Sequence, residues 1–89
     1  MVTEYLIVFM PQARDDLRRL GKRAAQRILH KLRWLSQNFE DLTPHRLAGE
    51  FREFYKLRVG SYRVIYTAEQ EDHRLVIHVI GHRRDVYKR

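Results

Sequence analysis

Residues 53–67 read Glu-Phe-Tyr-Lys-Leu-Arg-Val-Gly-Ser-Tyr-Arg-Val-Ile-Tyr-Thr, and this stretch decides the fold. Residues 53–59 alternate between an apolar face and a face rich in basic side chains, which is the period of a half-buried strand. Gly60-Ser61 suits a two-residue hairpin loop, because glycine accepts a positive φ angle. Residues 62–67 then alternate again. The stretch therefore predicts an antiparallel β-hairpin.

The segment before this hairpin predicts a strand and then helices. Residues 3–9 have the composition of a short strand. Apolar residues at spacings of three and four follow, and they predict two helices, 11–20 and 22–38, with a break at Gly21. Residues 39–50, which contain a proline and a glycine, are predicted to be a connecting loop.

The segment after the hairpin completes the predicted fold. Residues 75–82 are apolar on both faces, which is typical of a central strand. The resulting order is β-α-α-β-β-β. It predicts an α+β domain with a helical hairpin packed on one face of a mainly antiparallel four-stranded sheet. A length of 89 residues fits one domain, which we place at residues 1–89.

The composition excludes several classes of protein. Hydrophobic residues make up 44% of the chain and charged residues 33%, which is globular rather than disordered. Without cysteine, the chain has no disulfide framework, no thiolate nucleophile and no cysteine zinc site. The apolar run at residues 5–10 is too short for a membrane span and lacks the cleavage pattern of a signal peptide. We therefore expect a cytoplasmic protein with no membrane partner.

The charge balance points to a polyanionic partner. Eighteen lysines and arginines against eleven acidic residues give a net charge of +7. Solubility alone does not require such dominance of one sign, so nucleic acid or an acidic protein is the expected partner. Much of the charge lies on the polar face of the two predicted helices, from Arg14 to Arg33. From its charge alone, that face suits a nucleic acid, an anionic membrane surface or an acidic protein.

The hairpin also predicts a cluster of cations. In its expected register Arg58 lies directly opposite Arg63, and Lys56 lies two residues along on the same face. Like charges at such positions destabilise a sheet. An anion between them would remove the repulsion, and paired guanidinium groups suit phosphate oxygens. The plainer alternative is that these long side chains spread into water.

The C-terminal segment adds further polar groups, His82, Arg83, Arg84 and Tyr87. Histidine titrates near neutral pH and can exchange a proton, while a tyrosine ring can stack on a base. The other histidines receive ordinary interpretations. His78 is interpreted as a hydrogen-bonded residue of the last strand. The remaining three are interpreted as ordinary surface residues, namely His30, His45 and His73.

Two motifs resemble one known family. Lys-Leu-Arg-Val-Gly-Ser-Tyr-Arg-Val-Ile-Tyr at 56–66 and His-Val-Ile-Gly-His-Arg-Arg-Asp-Val-Tyr at 78–87 are similar to RelE toxins of the RelE/ParE superfamily. The resemblance implies a microbial RNase-like fold and a type II toxin–antitoxin system. It also implies an mRNA interferase that enters the ribosomal A site, contacts mRNA and rRNA there, and is neutralised by a cognate antitoxin.

The resemblance also implies residue roles. In the implied reaction the ribose 2′-OH attacks the adjacent phosphate without a metal or cofactor. Four residues of this sequence match residues that assist the attack. Lys56 matches a catalytic lysine, Arg63 a phosphate-binding arginine and Arg83 an arginine at the scissile phosphate, while Tyr87 matches a tyrosine that orients the substrate. Arg58 and Arg84 are added as phosphate-binding residues.

The sequence departs from the RelE pattern at two places. Phe54 stands where members with a catalytic lysine pair have the other lysine, and His82 stands where some relatives have lysine. His82 is therefore the reserve candidate for proton transfer. Glu53 ranks lower as a base, because its side chain is expected on the face of Tyr55.

Two other functions remain open at this point. A ParE-like toxin would share the fold and inhibit DNA gyrase without cutting RNA. A non-catalytic RNA-binding module would use its cations only to neutralise phosphate. The joint presence of Lys56, Arg63, Arg83 and Tyr87 favours the nuclease over the ParE-like toxin. Arg83→Ala would test the RNA-binding module, in which it should weaken binding without abolishing toxicity. Membrane binding by the basic helices is disfavoured, because their apolar stripe is needed for the core.

Overall fold

The computed structural model describes residues 4–86, which form one mixed β-sheet with two long helices on one face and a short helix on the other. The strands are β1 (Leu6–Phe9), β2 (His45–Arg46), β3 (Tyr55–Val59), β4 (Tyr62–Glu69) and β5 (Arg74–His82). The helices are α1 (Pro11–Arg19), α2 (Lys22–Asn38) and a short α3 (Arg83–Val86). Two 3₁₀ turns, Phe39–Asp41 and Gly49–Phe51, flank β2. The α+β class is as predicted from the sequence.

The central hairpin has the predicted register. Tyr62 pairs with Val59, and Arg63 pairs with Arg58. Gly60 has a φ angle of +59°, as a tight turn between two strands requires. A Cβ atom at this position would lie 2.7 Å from Nη2 of Arg27, because that side chain of α2 packs against the turn.

The sheet has one strand more than predicted. Its order is β1-β5-β4-β3-β2, and β2 lies within the segment that was interpreted as a loop. Because β2 is only two residues long, it has no alternating pattern that could identify it. β1 pairs in parallel with β5, whereas the other neighbouring strands are antiparallel.

The helices α1 and α2 cover one face of the sheet. Pro11 is the first residue of α1, and Gly21, with a φ angle of 87°, separates the two helices. The apolar stripe of α2 is buried against alternate residues of β3, β4 and β5. The largest fully buried side chains are Tyr66, Ile28, Leu32, Leu35, Leu75, Ile77, Ile80 and Val64. No helix within residues 4–86 has the length and apolar character that a membrane span needs.

A buried carboxylate connects α1 to the sheet. Asp16 is only 3% exposed, and its Oδ2 accepts a hydrogen bond of 3.0 Å from the Ile80 amide of β5. The Gln12 side chain donates to its Oδ1 over 2.9 Å. Such partners are needed to offset the cost of burying a charge. Asp16 thereby fixes α1 over the part of β5 that leads to the C-terminal segment.

The outer edge of β1 is apolar and pairs with no other strand within residues 4–86. Just before β1, α2 reaches this edge, where the amide of Tyr5 donates to the carbonyl oxygen of Ser36. The amides of Leu6 and Met10 donate toward the β5 side, to carbonyl oxygens of His73 and Ile77. In a parallel ladder the amides between them, those of Ile7 and Phe9, therefore point outward. Leu6 is 63% exposed.

Candidate active site

The predicted cations lie on the face of the sheet that α1 and α2 leave free, called the open face here. Directly paired residues of adjacent strands project to the same face. Arg58 pairs with Arg63, and Lys56 pairs with Ile65. Alternation places these side chains opposite the helix-covered Leu57. The predicted juxtaposition of the basic groups of β3 and β4 is therefore present in the fold.

No acidic side chain within residues 4–86 forms an ion pair with these cations. The ion pairs of this part of the chain lie elsewhere, for example between Arg74 and Glu69 at the other end of the sheet. Arg63 donates through Nη1 to the carbonyl oxygens of Gly60 and Tyr62, both over 2.9 Å. These bonds hold one end of the guanidinium at the hairpin turn.

The C-terminal segment approaches the same turn. The amide of Arg83 donates a 2.8 Å hydrogen bond to the carbonyl oxygen of Ser61. Gly81 pairs with Arg63, so its missing side chain would project from the open face. Cγ2 of Val86 lies 3.1 Å from the position of that absent Cβ. Helix α3 therefore folds back onto the open face and starts at Arg83, beside the cation pair.

Two further C-terminal residues were predicted to belong to the site. The side chain of Arg84 is exposed on α3, one residue after Arg83. Tyr87 lies outside the described residues, and the chain reaches it directly after Val86, which is buried. The predicted role of Tyr87 in orienting substrate stays a prediction.

His82 is not brought to the open face. It pairs with Tyr62, so it projects toward the helix-covered side, and the two ring centroids are 6.2 Å apart. Its Nδ1 accepts a 3.2 Å hydrogen bond from the amide of Arg84, which satisfies one free N–H of the first turn of α3. In this geometry His82 positions the short helix and does not join Lys56.

An apolar groove runs along the open face, from Val86 beside Gly81 to Phe54 away from the turn. It has a volume of about 320 Å³ and is lined by Leu47, Phe51, Phe54, His78 and Val86, among others. Phe54, at the position of the second lysine in the RelE pattern, packs with its ring 5.2 Å from that of His78. Phe54 is thus part of this groove rather than of the cation cluster.

His78 is a hydrogen-bonded sheet residue, as predicted. It is the additional residue of β5 where the register with β4 shifts between Ile65 and Tyr66. Its Nε2 lies 2.9 Å from Oγ1 of Thr67, and burial lowers the pKa of the imidazole. A neutral, half-buried ring is therefore fixed at the wall of the groove.

The open face consequently changes in character along the strands. At the turn end it carries Arg58 and Arg63, and Lys56 follows beside the buried Ile65. The apolar groove begins at Ile65 and Val86 and extends away from the turn to Phe54. A nucleotide has a matching division, because its phosphate is anionic and its base has apolar faces that stack on aromatic rings. The arrangement can hold a phosphodiester at one end and a base at the other.

His45 is a candidate that the sequence did not indicate. It was interpreted as an ordinary surface histidine, yet β2 pairs it with Lys56. The next residue, Arg46, lies over the ring of Tyr55 on the covered side, with 5.2 Å from its Cζ to the ring centroid. His45 must therefore project from the open face. No local pattern could have indicated this, since it depends on a strand of two residues.

The basic face of the helices also extends to the site. The side chains of this face from Arg14 to Arg33 are exposed, apart from the half-buried Lys31. Arg27 reaches the hairpin turn, where it packs against Gly60. Positive charge therefore continues from α2 around the turn to Arg63.

The sequence of the chain gives the class of the protein, the RelE/ParE toxins. Residues 7–87 match the sequence profile described as the ParE toxin of the type II toxin–antitoxin system parDE. The chain belongs to this family, and it is a toxin of the type II class. None of the curated proteins matches the sequence.

Solved structures of related toxins share the fold. One chain of the RelBE2 toxin–antitoxin complex from Mycobacterium tuberculosis is 27% identical, with a TM-score of 0.83 and coverage of 96% of this chain and 98% of that one. The isolated RelE toxin of E. coli is 24% identical, with a TM-score of 0.70 and coverage of 94% and 92%. A YoeB/ParE toxin from Agrobacterium tumefaciens is 18% identical, with a TM-score of 0.71 and coverage of 86% and 96%.

Proposed function

We propose that this toxin is a metal-independent endoribonuclease that cuts mRNA in the ribosomal A site. The observation that carries the proposal is the set of cations on the open face, Lys56, Arg58 and Arg63, which no carboxylate within residues 4–86 neutralises. A sheet that only had to fold would gain stability by losing this repulsion. Conversely, a bound phosphodiester would satisfy all three groups.

The proposed reaction divides the work between these residues. The ribose 2′-oxygen attacks the adjacent phosphorus and forms a 2′,3′-cyclic phosphate, while the bond to the 5′-oxygen breaks and releases a 5′-hydroxyl. Negative charge grows on the phosphoryl oxygens in the transition state. Arg63 and Arg83 hold those oxygens, and the ammonium of Lys56 stabilises the added charge. Electrostatic stabilisation of the transition state is the main contribution of Lys56.

The partners follow from the same surfaces. The basic face of α2, which reaches the hairpin turn through Arg27, lies along ribosomal RNA. The open face receives the codon. A cognate antitoxin neutralises the toxin, in keeping with the complexes in which related toxins have been solved, RelBE2 of Mycobacterium tuberculosis among them.

The proposal is tested by inducing the toxin in cells and mapping mRNA 5′ ends. Wild type is compared with Arg83→Ala and with Arg74→Ala, an arginine at the opposite end of the same strand. New ends inside translated codons are expected for wild type and for Arg74→Ala, and their loss is expected for Arg83→Ala. An unchanged pattern in Arg83→Ala would remove this residue from the mechanism.

Inhibition of DNA gyrase is the second candidate, because the matching sequence profile is that of ParE. The same experiment separates the two functions. Induction that leaves mRNA ends unchanged and instead produces DNA damage and filamentous cells would exclude the nuclease and favour gyrase. The cations of the open face would then serve a protein contact.

A further inference from the structure

The five histidines of the chain differ in whether they can take part in the proposed reaction. The inference drawn from this difference rests on the proposed function. His30 lies on α2, away from the open face. His73 contacts the ring of Tyr5 and lies 3.9 Å from a carboxylate oxygen of Glu40. His82 projects to the covered side and caps α3, while His78 is bonded to Thr67.

His45 differs from the other four. It is exposed, and within residues 4–86 its ring makes no hydrogen bond or ion pair. It pairs directly with Lys56, and side chains at such positions have Cβ atoms about 4.5–5.5 Å apart. Both ring nitrogens are therefore available beside the proposed catalytic lysine.

The charged surroundings of His45 come from one strand. β2 pairs only with β3 in this sheet, and the charged groups that β3 presents on the open face are Lys56, opposite, and Arg58, on the diagonal. Arg46, its neighbour on β2, projects to the covered side. Cations thus surround the imidazole, and a substrate phosphate between them would bring the 2′-oxygen within its reach.

We propose that His45 is the proton acceptor of the reaction and that Lys56 acts as its electrostatic partner. As the bond from the 2′-oxygen to phosphorus forms, the proton of the 2′-hydroxyl passes to the neutral imidazole of His45. The bond to the 5′-oxygen breaks with its electron pair, and this oxygen takes a proton from solvent water. The protonated imidazole returns its proton to solvent after the cut.

This division of roles resolves a chemical difficulty of the site. The 2′-hydroxyl needs a proton acceptor as it attacks, and Phe54 replaces the second lysine of the RelE pattern. An imidazole ordinarily titrates near pH 6.5 and is suited to general base catalysis at neutral pH. His45 supplies this group from β2, a strand that the rest of the fold does not need for its core.

The test is single-turnover cleavage of mRNA on programmed ribosomes between about pH 5.5 and 8.5. The proteins compared are wild type, His45→Ala, His45→Gln and the control His73→Asn, each checked by its melting temperature. His73 lies in the turn between β4 and β5, where its positive φ angle of 53° suits asparagine. We expect His45→Ala to lower the cleavage rate at neutral pH by roughly 10²–10⁴-fold. The rise in rate with pH should disappear, and added imidazole should restore part of the activity. His73→Asn should behave as wild type.

The outcomes separate this inference from the proposed function. If wild type cuts mRNA and His45→Ala keeps both its rate and its pH profile, the role of His45 is wrong and the nuclease stands. A slow His45→Ala protein that keeps the rise with pH and ignores imidazole would make His45 a positioning residue and overturn the inference as well. A wild type that cuts nothing would remove the proposed function and this inference together.

Discussion

The two faces of the sheet are built from the same strands but meet opposite requirements. On β3, Tyr55, Leu57 and Val59 are buried under the helices, while Lys56 and Arg58 between them project from the open face. The covered face gains stability from every contact. The open face keeps groups that repel each other. Alternate residues of one strand therefore serve stability and the proposed site. Substitutions on one face should change stability, and substitutions on the other should change toxin activity.

The largest effect is expected from the covered face. Leu75→Ala removes a side chain with 0% exposure from the centre of the core. Loss of buried contacts and the remaining cavity should lower the free energy of unfolding by about 2–5 kcal/mol. Urea denaturation measures this change. A loss below about 0.5 kcal/mol would show that β5 does not pack as described.

Removal of the buried carboxylate should have a smaller effect. Asp16→Ala leaves the amide of Ile80 without its acceptor, because Oδ2 of Asp16 receives that hydrogen bond. A cost of about 1–3 kcal/mol in unfolding free energy is expected. Exposed Asp15, the preceding residue, offers a matched control, and Asp15→Ala should change stability much less. Equal effects of the two substitutions would contradict the role given to Asp16.

The apolar end of the open face should make stability depend on pH. The unfolded chain protonates His78 near pH 6.5, whereas burial lowers the pKa of His78 in the folded protein. Stability from the neutral ring is therefore complete above about pH 6.5 and is lost as the pH falls below that value. Compared with His78→Gln in thermal melts, wild type should lose more stability on acidification. Parallel curves for the two proteins would contradict this prediction.

The cationic end should show the smallest effect on stability, and in the opposite direction. Arg58→Thr removes one member of a directly opposed arginine pair. The free energy of unfolding should rise by roughly 0.2–1 kcal/mol, since a like-charge pair is relieved and threonine suits a strand. Chemical denaturation of the purified protein measures the stability. Mapping of mRNA 5′ ends in cells that express Arg58→Thr measures the activity, which should fall. A destabilised Arg58→Thr protein would mean that the pair is not repulsive.

The parts of the site that the sequence predicts are those with a clear period. Alternation in residues 53–67, with Gly60 at the turn, gives the register that opposes Arg58 and Arg63. β5 lacks this property, because it is apolar on both faces. The additional residue at His78 also shifts the faces of all residues after it, so the projection of His82 could not be inferred.

The position of His45 could not be predicted for another reason. It depends on a pairing between β2 and β3 that no repeat or spacing in residues 39–50 records. Only the pairing of β2 with β3 in the folded protein places His45 beside Lys56. Short edge strands are in general invisible to pattern analysis, although they can deliver side chains to a site.

The edge of β1, which pairs with no further strand within residues 4–86, has a consequence for handling the isolated toxin. Outward amides at Ile7 and Phe9, together with a largely exposed Leu6, offer a template on which a second molecule can add a strand. In dilute buffer the net charge of +7 keeps such molecules apart. Added salt shortens the range of that repulsion, but it does not change the outward amides or the exposed Leu6. Concentrated stocks should therefore stay clear at low ionic strength and turn turbid as salt is raised.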